Sequence, residues 1–221
     1  MIALSIAPNL KSAAPKVAVG IVTAAVIVTA HDEALWGEID AKVAQISGYL
    51  TTMEEVRKLP PIKATWDAYK ALGQDPTRYR GSAEALYRRI IQGKGLYRVN
   101  TLVDINNLIS LETMCSCGAI DQDKVQPPVV FRVGQEGESY AGIGRGEIKL
   151  ARIPVFVDAQ GPFGSTTSDS ERTMVRLGTT HVMLLIISFG GKVELDNGVC
   201  RGVDLLAKYA GGRQIETTVV E

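Results

Sequence analysis

The chain is short of several things, and each shortage excludes something. Its 24 Lys and Arg residues are matched by 24 Asp and Glu, so it lacks the basic excess that tight nonspecific nucleic-acid binding leaves. Any RNA contact must therefore come from a local patch, and DNA is not an expected partner. Cysteine is scarce: Cys115, Cys117 and Cys200 are too few, and odd in number, for a secreted disulfide framework, and they fit a reducing cytoplasmic setting. Histidine is scarcer still. His31 and His181 stand at the edges of apolar runs and do not join the cysteines in a zinc-binding spacing, so both read as structural. No metal or organic cofactor is expected.

No apolar run reaches the ~20 residues that a membrane-spanning helix requires. The stretch "KVAVGIVTAAVIVTA" imitates a signal peptide, with Lys16 ahead of small and apolar residues. It begins well inside the chain and is rich in Val, Ile and Thr, which predicts a buried strand from Val17 to Thr29. No membrane partner is expected.

What is present is ordinary globular material: 221 residues, 46% hydrophobic and 22% charged, enough for one large domain or two small ones. After the first strand, "HDEALWGEIDAKVAQISGYLTTMEEVRKL" carries apolar positions at helical spacing and predicts one or two helices stopped by Pro60 and Pro61. A short helix, "ATWDAYKALG", follows. Another runs through "SAEALYRRII" with Ser82 as its N-cap and Gly93 as its stop. "TLVDINNLISL" is amphipathic, yet it carries two adjacent asparagines, Asn106 and Asn107, both poor helix formers. The Cys/Gly/Ser-rich stretch after it reads as a turn. From Pro127 onward, "VVFRV", "GEIKLA", "IPVFVDA" and "HVMLLIISF" predict strands, with a late helix near Cys200 to Tyr209 and a terminal strand "IETTVV". One α+β domain is the economical reading, with lobes 1–125, mainly helical with one strand, and 126–221, mainly β.

Three groups of residues could carry chemistry. Arg78, Arg80, Arg88, Arg89, Lys94 and Arg98 face one acid, Glu84, and alternate with Tyr79, Tyr87 and Tyr97. That is the one basic strip, suited to phosphates and base stacking and equally compatible with a solvated helix face. "GIGRGE" is flanked by β texture rather than a helix, so it is not a dinucleotide-type loop. "QGPFGSTTSDSERTM", Gln160 to Met174, is a polar loop longer than a hairpin needs, and such loops on a rigid scaffold often hold sites.

Taken in order, "NTLVDINNLISL", "GAID", "GQEGESYAGIGRGE", "DSERTMV" and "GTTHVMLLI" resemble the tRNA-binding and editing module of the phenylalanyl-tRNA synthetase β subunit, the B3/B4 domain, in its free-standing form. The resemblance covers roughly residues 75 to 190. It implies an α+β fold in which a β layer and packed helices surround one pocket, with tRNA or aminoacyl-tRNA as partner. The activity it implies is hydrolysis of misacylated aminoacyl-tRNA in trans. Asn106 and Asn107 match the family's paired polar residues and Glu171 its acidic pocket residue; on that basis Asn107 and Glu171 are the catalytic candidates, and Asn106, Gly118, Gly142, Gly144 and Thr173 the substrate-binding ones. Arg78, Arg80, Arg88 and Arg89 are the RNA-binding candidates. One departure stands out: the family module has a histidine before "AFD", where this chain has Gly118 before Ala119, Ile120 and Asp121. The competing reading is a noncatalytic module that binds an amino acid, RNA or a protein. Aminoacylation itself is not expected, because no ATP-binding segment is recognisable.

Overall fold

A computed structural model describes residues 2–221, the side chain of Glu194 excepted. Its centre is an antiparallel sheet with strand order β10-β2-β9-β3, made by β2 (Ala18–Ala25), β3 (Ser116–Asp121), β9 (His181–Ser188) and β10 (Arg213–Val220). Side chains alternate between the faces of a strand, and here both faces are apolar. Ala18, Val22, Cys117, Ala119, Val182, Leu184 and Ile186 enter one core, while Val19, Ile21, Ile120, Met183, Leu185 and Ile187 enter another. A strand buried on both sides reads as a continuous apolar run. That is why the first strand imitates a signal peptide.

The first core is closed by α2 (Glu33–Tyr49), α6 (Thr101–Thr113) and α7 (Val193–Tyr209). The second lies against a mixed sheet of order β1-β4-β7-β8, formed by β1 (Leu4–Ile6), β4 (Val129–Val133), β7 (Pro154–Asp158) and β8 (Gly161–Ser165). There Phe131 stacks on Phe156 at 4.2 Å between ring centroids. The helices α1 (Pro8–Ala13), α3 (Met53–Lys58), α4 (Pro60–Ala71) and α5 (Ser82–Ile91) complete the periphery, and β5 (Ser139–Gly142) with β6 (Gly146–Lys149) forms a separate hairpin.

The α+β class expected from the sequence is the class observed, with several local corrections. The central sheet takes β2 and β3 from one side of residue 125 and β9 and β10 from the other, so the two halves are not separate lobes. The first half also holds three strands rather than one. The strand expected from Val17 to Thr29 is β2, which ends at Ala25, where its ladders with His181 and Arg213 stop. Pro60 and Pro61 open α4 as its first residues instead of closing what precedes it; proline lacks only an N–H that a helix start leaves unused. Gly81, not Ser82, is the N-cap of α5. The Cys/Gly/Ser stretch is strand β3 rather than a turn; the chain reverses at Met114, which takes a left-handed conformation with φ 60°. Part of the long polar loop is strand β8, paired with β7 through a bulge.

Close approach of α7 to the sheet requires residues without side chains. A Cβ placed on Gly198 would lie 3.0 Å from Thr113 and 3.2 Å from Ile186, and one on Gly202 would lie 3.2 Å from Val22. Gly198→Leu should therefore overpack this contact and destabilise the protein by about 1–3 kcal/mol. Urea denaturation would read this as a lower midpoint at unchanged slope.

Candidate functional site

Helix α6 is capped by Asn100, whose side chain accepts from the Val103 N–H at 3.0 Å. The helix is held inside by Asp104, which is fully buried and accepts from the Trp36 indole N–H at 2.7 Å. Burial pushes the Asp104 carboxyl up. With the helix so clamped, Asn106 faces inward and Asn107 is half-buried. The Asn106 Nδ2 donates to the Cys117 carbonyl of β3 at 3.3 Å. A carbonyl can only accept, so the Asn106 Oδ1 must point the other way. That oxygen is buried and has no hydrogen-bond partner, and the same is true of the Ser82 Oγ.

Two tyrosines fix the loop after β8. The Tyr69 hydroxyl bonds the Thr166 and Thr167 hydroxyls. The Tyr140 hydroxyl lies 2.6 Å from the Ser168 carbonyl and 2.9 Å from the Ser165 Oγ. Further along, Arg172 clamps Asp158 through both guanidinium nitrogens, at 2.9 and 3.1 Å. A polar segment that would otherwise be mobile becomes part of the rigid body.

Between α6, β3 and this loop lies a pocket of about 440 Å³. Its walls are apolar at Val99, Val103, Ala119, Ile143, Met174 and Val175, with polar groups from Ser82, Asn106, Thr167, Ser168 and Asp169. This composition, an apolar enclosure with a few convergent polar groups, suits a small ligand. Asp169 is its one carboxylate. The carboxyl is lodged between two glycines: a Cβ on Gly118 would lie 3.0 and 3.2 Å from its two oxygens, and one on Gly164 would lie 3.1 Å from Oδ1. Burial pushes this carboxyl up to about 7, opposed only by the Ala119 N–H that bonds it. Asp169 makes no ion pair among the described residues. Cys117 also lines the pocket, but burial pushes its thiol far up, leaving it unreactive.

Two further depressions adjoin the pocket. A recess of about 190 Å³ shares Ser82, Asn106 and Thr167 with it and adds Arg89, Tyr97, Asn107 and Arg145. An outer groove of about 350 Å³ shares Arg145 and Thr167 with the recess and adds Arg78, Tyr79, Glu147 and Lys149. Two more open clefts of about 490 Å³ lie elsewhere. The guanidinium in the first of them, Arg201, is already engaged by Glu38 and Glu112.

The residues expected from the sequence are distributed unevenly over this site. Asn106 lines the pocket and the recess, whereas Asn107 lines the recess alone. Glu171 is exposed and absent from all three depressions; its backbone N–H bonds the Ala141 carbonyl. Thr173 is fully buried and donates to the Phe163 carbonyl, so it ties the loop down. Gly118 contributes by leaving room for Asp169. Gly142 ends β5 and Gly144, at φ 65°, lies in the hairpin turn, and Ile143 between them is the residue that reaches the pocket. Of the basic strip, Arg78 borders the groove and Arg89 the recess, while Arg80 bonds the buried Glu84 and Arg88 is exposed away from all three. His31 and His181 are surface residues beside Glu33 and Asp123. No cluster of potential metal ligands occurs among the described residues. No helix there is long and apolar enough to cross a membrane.

This geometry, a β layer and packed helices around one pocket, is that of a recognised class. The sequence model of the B3/4 domain matches residues 64–196, and the chain belongs to that family. A solved N-terminal fragment of the phenylalanyl-tRNA synthetase β subunit from Pyrococcus horikoshii is similar in structure, with a TM-score of 0.51 and 15% sequence identity over 99% of this chain and 50% of the fragment. The likeness shows a shared fold. The chain spans about half the length of that fragment. No curated protein matches it.

The raised Asp169 carboxyl has a consequence for stability. In the unfolded chain it titrates near 3.8 and in the folded one near 7, so between these values the folded state holds the extra proton and stability falls as pH rises. Asp169→Asn keeps the shape without the charge. The variant should melt a few degrees above the parent at pH 8, and the difference should vanish below about pH 4, as thermal denaturation across the range would read directly.

Proposed function

We propose that this B3/4 domain takes the aminoacylated end of a tRNA and hydrolyses the ester in trans. The observation that carries the reading is the lodging of the Asp169 carboxyl, titrating near neutrality, in the wall of a pocket sized for an amino acid. General bases work best when their pKa lies near the working pH. Asp169 removes a proton from a water as its oxygen attacks the ester carbonyl carbon. As the carbon–oxygen bond to the ribose breaks, the leaving oxygen takes that proton, and the carboxylate is restored. The ester is already activated, so little further machinery is needed.

Gly118 supports this assignment. The resemblance puts a histidine at this position in the synthetase module, but a Cβ at 118 and a carboxylate at 169 claim the same space. The basic group lost at 118 is thus answered by an acidic one at 169. The tRNA partner is supported by family membership and by the cationic groove that opens beside the pocket.

The test is release of amino acid from a panel of misacylated tRNAs. The parent protein should accelerate release from at least one member, with a rate that rises with pH and levels off above about 7. Asp169→Asn should lose about 10²–10⁴ of that acceleration. Glu171→Ala, exposed and outside the pocket, should retain it. No release from any member by the parent would sink the hydrolase reading and leave a binding module.

A further inference from the structure

The recess beside the pocket is chemically unlike it, and resting on the reading above, we infer that it holds the terminal nucleotide of a single-stranded RNA end, with its base stacked on Tyr97. The Tyr97 ring is 66% exposed, an unusual position for a large aromatic side chain. The ring is nevertheless backed on one side. The Arg89 guanidinium lies over the ring at 3.7 Å from its centroid and is itself tethered to the Gly95 and Lys94 carbonyls at 2.9 and 3.3 Å. One face of the ring is covered by a cation, and the ring stays largely open to solvent. A backed, exposed aromatic ring is a stacking platform, and every nucleobase has a π face to offer it.

The remaining groups agree on the same ligand. Asn107 brings an amide to the recess, suited to the hydrogen-bonding edge of a base. At the seam shared with the pocket, the Ser82 Oγ and the Asn106 Oδ1 are buried without partners. Buried polar atoms are rarely left so, and a ribose hydroxyl joining nucleotide to amino acid would meet them there. Arg145 lines both recess and groove and makes no side-chain hydrogen bond or ion pair among the described residues. Arg78 and Lys149 continue the cationic groove against one acid, Glu147. The order is therefore amino acid in the pocket, ribose at the seam, base on Tyr97 and phosphates along Arg145 and the groove. It also explains why the basic strip contributes selectively: Arg89 supports the platform, and Arg80 is taken up by Glu84.

A labelled single-stranded RNA oligonucleotide with a free, unacylated 3′ end tests this separately from hydrolysis. In fluorescence anisotropy, Tyr97→Ala should bind about tenfold more weakly than the parent, and Tyr97→Phe should bind equally well. Arg145→Ala should weaken binding and lower the slope of log affinity against log salt by about one. Arg88→Ala, outside the recess, should stay within twofold. The inference is overturned if Tyr97→Ala binds like the parent, if Tyr97→Phe loses as much as the alanine, or if the parent does not bind the oligonucleotide. Release of amino acid that depends on Asp169, with no effect of Tyr97 on oligonucleotide binding, would remove the platform and keep the hydrolase. The reverse pattern would keep the platform and remove the hydrolase.

Discussion

The pairing of β2 with β9 is the constraint on which the rest of the molecule depends. All eight residues of each strand are in register, from Ala18 opposite Ser188 to Ala25 opposite His181. Both faces of the pair are buried, one under helices and the other under a second sheet. A slip of one residue would exchange the two faces along the whole strand, so the register is held by two cores at once. It also sets the position of β3, which pairs with the other edge of β9 from Ser116 to Asp121 and carries the floor of the pocket.

From that sheet the site is built by local anchors. The Asn106 amide crosses to the Cys117 carbonyl, joining α6 to β3. Tyr69 and Tyr140 hold the loop after β8 from below, and Arg172 ties its far end to Asp158. These bonds restrict the loop so that Asp169 enters the gap that Gly118 and Gly164 leave, which is how an ionisable group comes to be held in surroundings that disfavour its charge. The hairpin of β5 and β6 then closes the mouth through Ile143, whose N–H bonds the Asp169 carbonyl at 3.1 Å.

Much of the scaffold was legible. Helix α6 could be read from its apolar spacing, and β4, β7 and β9 from their β-branched runs, because those patterns are local. The rule-breaking pair Asn106–Asn107 also pointed to a site, since an amide in an apolar helix needs a partner. In the polar loop the sequence pointed to Glu171, whereas the carboxylate that lines the pocket is Asp169, two residues earlier, because nothing local marks which polar residue of a loop turns inward. Tyr97 and Arg89 could be seen as members of a basic, aromatic strip, but not as a stacked pair beside a cavity.

What the sequence determined by itself was the class: helical and strand periodicities, a composition in the ordinary globular range without a long apolar span, and a family order of motifs from Asn100 to Ile186. Tertiary structure decided which polar residues share a pocket. Gly118, Gly164 and Asp169 meet only because β3 and β8 are brought together by the sheets, and the recess exists only because Tyr97 and Arg145, 48 positions apart, border the same helix face as Asn107. Periodicity records which way a side chain faces relative to its own element. It does not record what that face meets, and the chemistry here lies in the meeting.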